Sequence, residues 1–233
     1  MADANSEIKG IAFAEAIAFL KDRLKFSDAD WQALIFEVDA AARARSSDMS
    51  EAMSRDILQA ILAAMEEGST IGDFEEKFDG IAAARGWSGD NEDGWRARLV
   101  FRTMTAQAQA AGRWRQIQAG KKHAPYLRYI TAEDNRVRDA HAAWQGVILD
   151  AEDPWWKTHF PPNGFNCRCH VQQLSDDDLE RYGWQVSEAA PWSPTIIKFV
   201  KIDGVLTPVE APAGVDPGFA FNPGEIGLKL KGI

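Results

Sequence analysis

Cysteine is nearly absent from this chain: Cys167 and Cys169 are the only two among 233 residues. Two cysteines separated by a single residue do not build the disulfide framework of a small secreted domain. Long apolar runs are missing as well. None approaches the ~20 residues that cross a bilayer, so no membrane partner is expected. The opening Met1-Ala2-Asp3-Ala4-Asn5-Ser6-Glu7 has neither the basic flank nor the apolar core of an export signal. These absences describe a protein made in a reducing cytosol. The sequence also lacks HExxH, a nucleophile elbow, a P-loop and a dinucleotide fingerprint. Gly89-Asp90-Asn91-Glu92-Asp93-Gly94 is acidic but out of register for an EF-hand loop, and reads as a cap and turn.

Overall positive charge is lacking too. The net charge of −9 argues against a protein that coats nucleic acid. The distribution is uneven, however. Between Trp95 and Arg138 stand ten basic residues, from Arg96 onward, against Glu133 and Asp134 alone, a local charge of +8. Such a stretch is either a solvated helix face with structural arginines or a surface for an acidic partner, DNA or protein.

What is present at the start reads as successive helices. Phe13, Ile17, Leu20 and Leu24 make one apolar stripe. Ser27 or Asp28 is placed to cap a helix carrying Trp31, Leu34, Ile35 and Val38. A third helix after Ser47-Asp48 carries Met53, Ile57, Ile61 and Met65. Thr70 caps a fourth, with Phe74, Phe78 and Ile81 inward and Gly86 at its end. A long helix from about Trp95 to Ala119 would present Trp95, Leu99, Ala106, Ala110, Trp114 and Ile117.

After Lys122 the pattern changes. Tyr126–Thr131 and Cys169–Leu174 read as strands, and Gly146–Leu149 as a short one. Asp134–Trp144 reads as a helix, and Ser175–Gly183 as a short capped one. Thr195–Ile202 and Val205–Glu210 flank Asp203-Gly204, a hairpin signal. The Pro- and Gly-rich tail after Pro212 reads as an extended arm outside the core. Trp144 and Trp184 are expected in a core. Trp155 and Trp156 cannot both be buried on one strand face, so one of them is expected at a docking surface. The whole is an α+β protein: a helical region over 1–120, a compact mixed subdomain over 121–185, and a hairpin with an arm over 186–233.

The chemistry gathers in two clusters. One is Thr131, Asp134, Arg136, Val137, Arg138 and His141. The other is Asn166-Cys167-Arg168-Cys169-His170. In an extended segment residues i and i+2 share a face, so both sulfurs project together. With His141 and His159 they form the expected ligand set of a structural zinc. The alternative is two reduced cysteines packed in a small core. Asp134 and Arg138, four apart on a helix, are expected to pair as a strut. No catalytic residue is expected. The competing enzymatic reading is a nuclease-like domain using His141 with Arg136 and Arg138, whose metal-free form is a ribonuclease built from His141, His123, Arg136 and Thr131. A zinc-stabilised nucleic-acid binder is the third reading.

The order D-x-R-V-R-x-x-H over Asp134–His141, followed by Asn166-Cys167-Arg168-Cys169, resembles the phage Mu F-type minor head proteins. Arg102-Thr103, Gly146 and Gly218-Phe219-Ala220-Phe221-Asn222-Pro223-Gly224 extend the resemblance, as does the opening around Phe13–Leu20. The resemblance implies a head-morphogenesis role, with Thr131, Asp134, Arg136, Arg138, His141, Asn166 and Arg168 as structural motif residues. It implies portal and capsid proteins as partners, with packaged double-stranded DNA met through the Arg96–Arg138 stretch. It places the protein in the host cytoplasm during assembly and then in the virion head. In that family a histidine often stands immediately before the proline leading to the N-C-R-C run. Here Phe160 takes that place and His159 is displaced by one.

Overall fold

Ser50 shows how local chemistry starts the helical part. Its hydroxyl accepts a hydrogen bond from the Met53 amide at 3.2 Å, satisfying a donor that the first turn leaves free. Helix α1 (Glu51–Glu67) follows, and Gly68 closes it in the left-handed conformation. Thr70 and Asp73 form a reciprocal capping box at the start of α2 (Ile71–Ala84). The 26-residue α3 (Trp95–Gly120) comes next. These elements belong to a computed structural model that describes residues 14–22, 24–25, 50–87, 94–202 and 205–225. The expected helix around Trp31–Val38, the Ser47-Asp48 start, Phe13, most of the Gly89–Gly94 break and the Asp203-Gly204 turn lie outside the described residues.

Met53, Ile57, Ile61 and Met65 form the buried stripe of α1, as their spacing requires. They pack with Ala16, Phe19 and Leu20 from the helical residues 14–22, with Phe74 and Phe78 of α2, and with Ala97, Ala108 and Ala111 of α3. The first half of α3 therefore buries a face rotated from the expected one, while Trp114 and Ile117 farther along are buried as expected. Trp95 is exposed, because Ala97 takes the inward place at the first turn. The small alanines let the neighbouring helices approach α3 closely, which bulky side chains there would prevent.

Farther along, α3 leaves this core and enters a second. Trp114 and Ile117 pack against a three-stranded antiparallel sheet. Its order is β2 (Ile148–Asp150), β1 (Tyr126–Ile130), β3 (His170–Leu174). Tyr129 lies opposite Val171, and Leu127 opposite Leu149 and Gln173. Leu127 and Tyr129 alternate inward along β1, as a half-buried strand demands.

Three expectations fail in this region. Residues 134–144 are not one helix; only α4 (Asp139–Ala142) is helical. The Asp134 carboxylate accepts the Arg136 amide at 3.0 Å, an Asx turn that competes with helix, and Arg138 is extended. Trp155 and Trp156 are 8% and 1% exposed, so neither is a surface anchor. They lead into the helical turn α5 (Trp156–His159), where adjacent side chains diverge instead of opposing each other across a strand. The tail is not a free arm. Val215 and Phe219 are buried in the second core, with Phe219 edge-on to Phe165 at 4.8 Å.

Helix α6 (Asp176–Tyr182) has a Ser175–Asp178 capping box and ends at Gly183. Strands β4 (Thr195–Ile202) and β5 (Val205–Pro212) pair antiparallel throughout, Ile202 opposite Val205. The fold is α+β: a helical N-terminal part followed by small antiparallel sheets.

Candidate metal centre

Two left-handed residues shape the site. Glu133, at φ 51°, turns the chain out of β1, and Asn166, at φ 57°, turns it into the Cys167–Cys169 segment. Asparagine tolerates that conformation better than most side chains. The intervening α4 turns His141 inward, where its ring stacks on Trp144 at 5.0 Å. His141 Nδ1 lies 3.8 Å from Cys167 Sγ and 3.6 Å from Cys169 Sγ. Ligand atoms of His141, Cys167 and Cys169 all lie within 4.8 Å of one another, forming a cluster of the kind that holds a metal ion.

The ring orientation is decided by Gly214. His141 Nε2 is 2.9 Å from the Gly214 carbonyl oxygen. That oxygen has no proton to give, so Nε2 donates to it, and Nδ1 is left facing the sulfurs. A backbone carbonyl fixing the far nitrogen is how metal-binding histidines are usually oriented. A tetrahedral zinc with ordinary Zn–S and Zn–N bonds sets S···N edges of about 3.6 Å. The two observed separations fit that edge, and the S₂N donor set suits a thiophilic divalent cation.

Without a metal the two thiols share their protons unequally. A hydrogen bond from Cys169, then others from His141 and the backbone at Asn163 and Cys169, hold the Cys167 thiol below the usual range despite its burial. Cys169 is pushed the other way by its bond to Cys167, by burial and by the neighbouring charge. Tyr129, which borders Cys169, donates its hydroxyl to Asn163 Oδ1 at 2.9 Å and is itself held protonated by burial and the nearby sulfurs.

The structure does not bring His159 to this cluster. Its ring stacks on Trp155 at 4.4 Å, and its Nδ1 lies 3.3 Å from the Trp155 carbonyl and 2.9 Å from the Thr158 hydroxyl. Trp144 touches both histidines, edge-on to His159 and stacked with His141. His170 points from β3 and is exposed.

The expected Asp134–Arg138 strut is replaced by two longer-range pairs. Asp134 receives a two-point contact from Arg168, at 2.5 and 2.7 Å. Arg138 donates to Asp216 at 3.0 Å and to the Phe165 carbonyl at 3.0 Å. Arg168 alternates with the cysteines and therefore faces outward, where Asp134 meets it. Thr131 is buried, its amide donating to Gln145 Oε1 at 2.6 Å. Arg136 is exposed beside the cluster, and so is Asn166. Gly214 and Asp216 belong to the site although nothing in their spacing pointed to them.

Most of the basic stretch is used internally. Arg98 pairs with Glu75, Arg115 with Asp22 and Lys121 with Glu152. Arg113 reaches the Val171 carbonyl, Arg128 covers Trp184, and Arg96 lies over Trp87 and Trp95. Among the described helices none is long and apolar enough to cross a membrane.

Comparison with known proteins places these features. Residues 55–172, just over half of the chain, match the family described as phage Mu protein F like protein. The chain is 32% identical over 199 residues to a protein named for capsid assembly, protein F of Escherichia phage Mu. It is 29% identical over 195 residues to the Mu-like prophage FluMu F protein of Haemophilus influenzae. Each match covers 78% of this chain and 44% of the relative, so the chain spans less than half the length of either. No solved structure matches it. The matched region runs from α1 to β3 and contains the whole of Asp134–His141 and Asn166–Cys169, and on this ground the chain belongs to the phage Mu protein F-like family.

Proposed function

We propose that this protein is a structural, non-enzymatic component of phage or prophage head morphogenesis, which docks on portal or capsid subunits. The observation that carries the reading is its relation to a protein named for capsid assembly. Its place of action would be the host cytoplasm during assembly and then the head, where DNA delivery is a further role. The motif subdomain acts as a stiff knob, held together by a structural zinc at His141, Cys167 and Cys169 and by the Asp134–Arg168 and Arg138–Asp216 pairs.

Two observations support a docking role without chemistry. Both ring nitrogens of His141 are engaged, Nε2 by the Gly214 carbonyl and Nδ1 by the sulfurs, so neither faces a substrate as a general base would. The β4–β5 hairpin meanwhile presents Ile197, Phe199 and Leu206 on one face, 61%, 68% and 68% exposed. An isolated two-stranded sheet with an uncovered apolar face gains stability from a partner. We assign that face to a portal or capsid subunit.

Co-expression with the portal and major capsid proteins of the same phage tests this, with affinity capture as the readout. The wild-type chain should retain one of them, and a Phe199→Asp/Leu206→Asp variant should lose it while keeping its circular dichroism. A wild-type chain that captures neither protein, or a His141-dependent nuclease activity, would overturn the reading.

A further inference from the structure

A cavity of about 950 Å³ lies between α3 and the two motif segments, and His141, Cys167 and Cys169 line part of its wall. The metal ligands therefore face a space, and the described residues supply three of them, not four. A thiolate–imidazole zinc with three protein ligands keeps one position for an outside donor.

The rest of the wall indicates what that donor is. Arg102, Arg136, Arg138 and Arg168 all line the cavity, and no aspartate or glutamate does. Arg138 and Arg168 are neutralised at its edge by Asp216 and Asp134. Arg102 forms no ion pair with a carboxylate among the described residues, and Arg136 shares Asp134, whose carboxylate Arg168 already holds at two points. A divalent cation balances two thiolates, so the four arginines set against Asp134 and Asp216 leave the wall with an excess of positive charge. Ile71, Phe101, Pro162 and Phe165 form apolar wall beside them. Arginine suits tetrahedral oxyanions through its planar donor fork.

We propose that the cleft is a phosphate-group site: one phosphate oxygen takes the open metal position while Arg102 and Arg136 bind the others. This rests on the metal reading above and extends it, turning a structural lock into a lock that senses a ligand. The phosphate comes either from a free phosphate or monoester, or from a nucleic-acid backbone.

Cobalt(II) loaded into the full-length chain is the probe, because its visible spectrum reports coordination directly. One cobalt per chain is expected, with thiolate charge-transfer absorption. Inorganic phosphate, added at constant ionic strength, should shift the ligand-field bands. An Arg102→Ala/Arg136→Ala variant should bind the same amount of cobalt but respond to phosphate about tenfold more weakly, the scale of one or two lost charge-assisted hydrogen bonds. A short DNA duplex in place of phosphate separates the sources: the same shift assigns the site to a backbone phosphodiester, and a shift with inorganic phosphate alone assigns it to a free phosphate or monoester. A cobalt-loaded protein whose spectrum neither source moves overturns the phosphate site and leaves the metal standing. A protein that takes up no cobalt overturns both.

Discussion

Asp134 and Arg168, thirty-four positions apart, meet through two parallel contacts of 2.5 and 2.7 Å. The pair joins the loop before His141 to the segment that carries both cysteines. Arg168 is the first cause, and the Arg136 amide the second, holding the Asp134 carboxyl down at about 2. The contact is solvent-exposed, so its effect on global stability is small. Its role is alignment. Asp134→Ala and Arg168→Ala should each weaken cobalt or zinc binding, and a charge-swapped Asp134→Arg/Arg168→Asp double variant should recover part of the loss. Metal titration of the three variants checks this, and additive losses in a double-alanine variant would show that the two side chains do not act together.

Gly214 has two duties that one substitution disturbs together. Its φ is +90°, and an added Cβ would sit 2.7 Å from the Trp144 ring and 2.9 Å from Ala140 Cβ. Its carbonyl also receives the His141 Nε2 proton. Gly214→Ala should cost about 2–4 kcal/mol in urea unfolding, combining backbone strain with a core clash. Gly183→Ala is the control, since φ is +65° there with nothing within 4 Å, and about 1 kcal/mol is expected. Equal losses at the two positions would mean that the Trp144 contact is not a constraint.

The contrast between Gly183 and Gly214 also marks what a sequence shows. Gly183 ends a capped helix whose Ser175 and Asp178 announce it, and such local signals found α1, α2, α6, β1 and β3. The pairing of Cys167 with Cys169 was visible for the same reason, since side-chain alternation is a local property. Partners chosen across the chain were not. Asp134 carries equal local potential for Arg138 and for an Asx turn, and only the position of Arg168 decides between them. Val215 and Asp216 sit among prolines and glycines, and no periodicity says that such a tail returns to the core. Trp155 and Trp156 were misplaced because the period assumed for them was that of a strand.

His159 makes stability depend on pH. Burial, followed by the charge of His141, lowers its pKa to about 4 against the opposing Trp155 carbonyl. An unfolded chain protonates this ring near 6.5. Above that value both states are neutral and the contribution is complete. As pH falls from about 6.5 towards 4 the unfolded state gains a proton that the folded state refuses, so stability drops. The loss should reach about 1–2 kcal/mol near pH 5. His159→Phe keeps the stack on Trp155 and removes the titration. Its urea midpoint should fall less than that of the wild type between about pH 7 and pH 5. Identical falls would show that His159 does not carry the effect.

Metal removal distinguishes a three-ligand centre from one completed by His159. A bound cation stabilises the folded state by mass action, and about 2 kcal/mol in a chain of this size corresponds to about 4–8 °C in Tm. A strong chelator under reducing conditions should lower the wild-type Tm by that amount. Cys167→Ser and Cys169→Ser should start lower and respond little, because a hydroxyl is a poor ligand for a thiophilic cation. His159→Phe should stay fully sensitive to the chelator, since its ring lies against Trp155 and not among the sulfurs. If His159→Phe loses that sensitivity along with the cysteine variants, His159 is a fourth ligand and the centre is closed. The cleft would then have no open metal position to offer a phosphate.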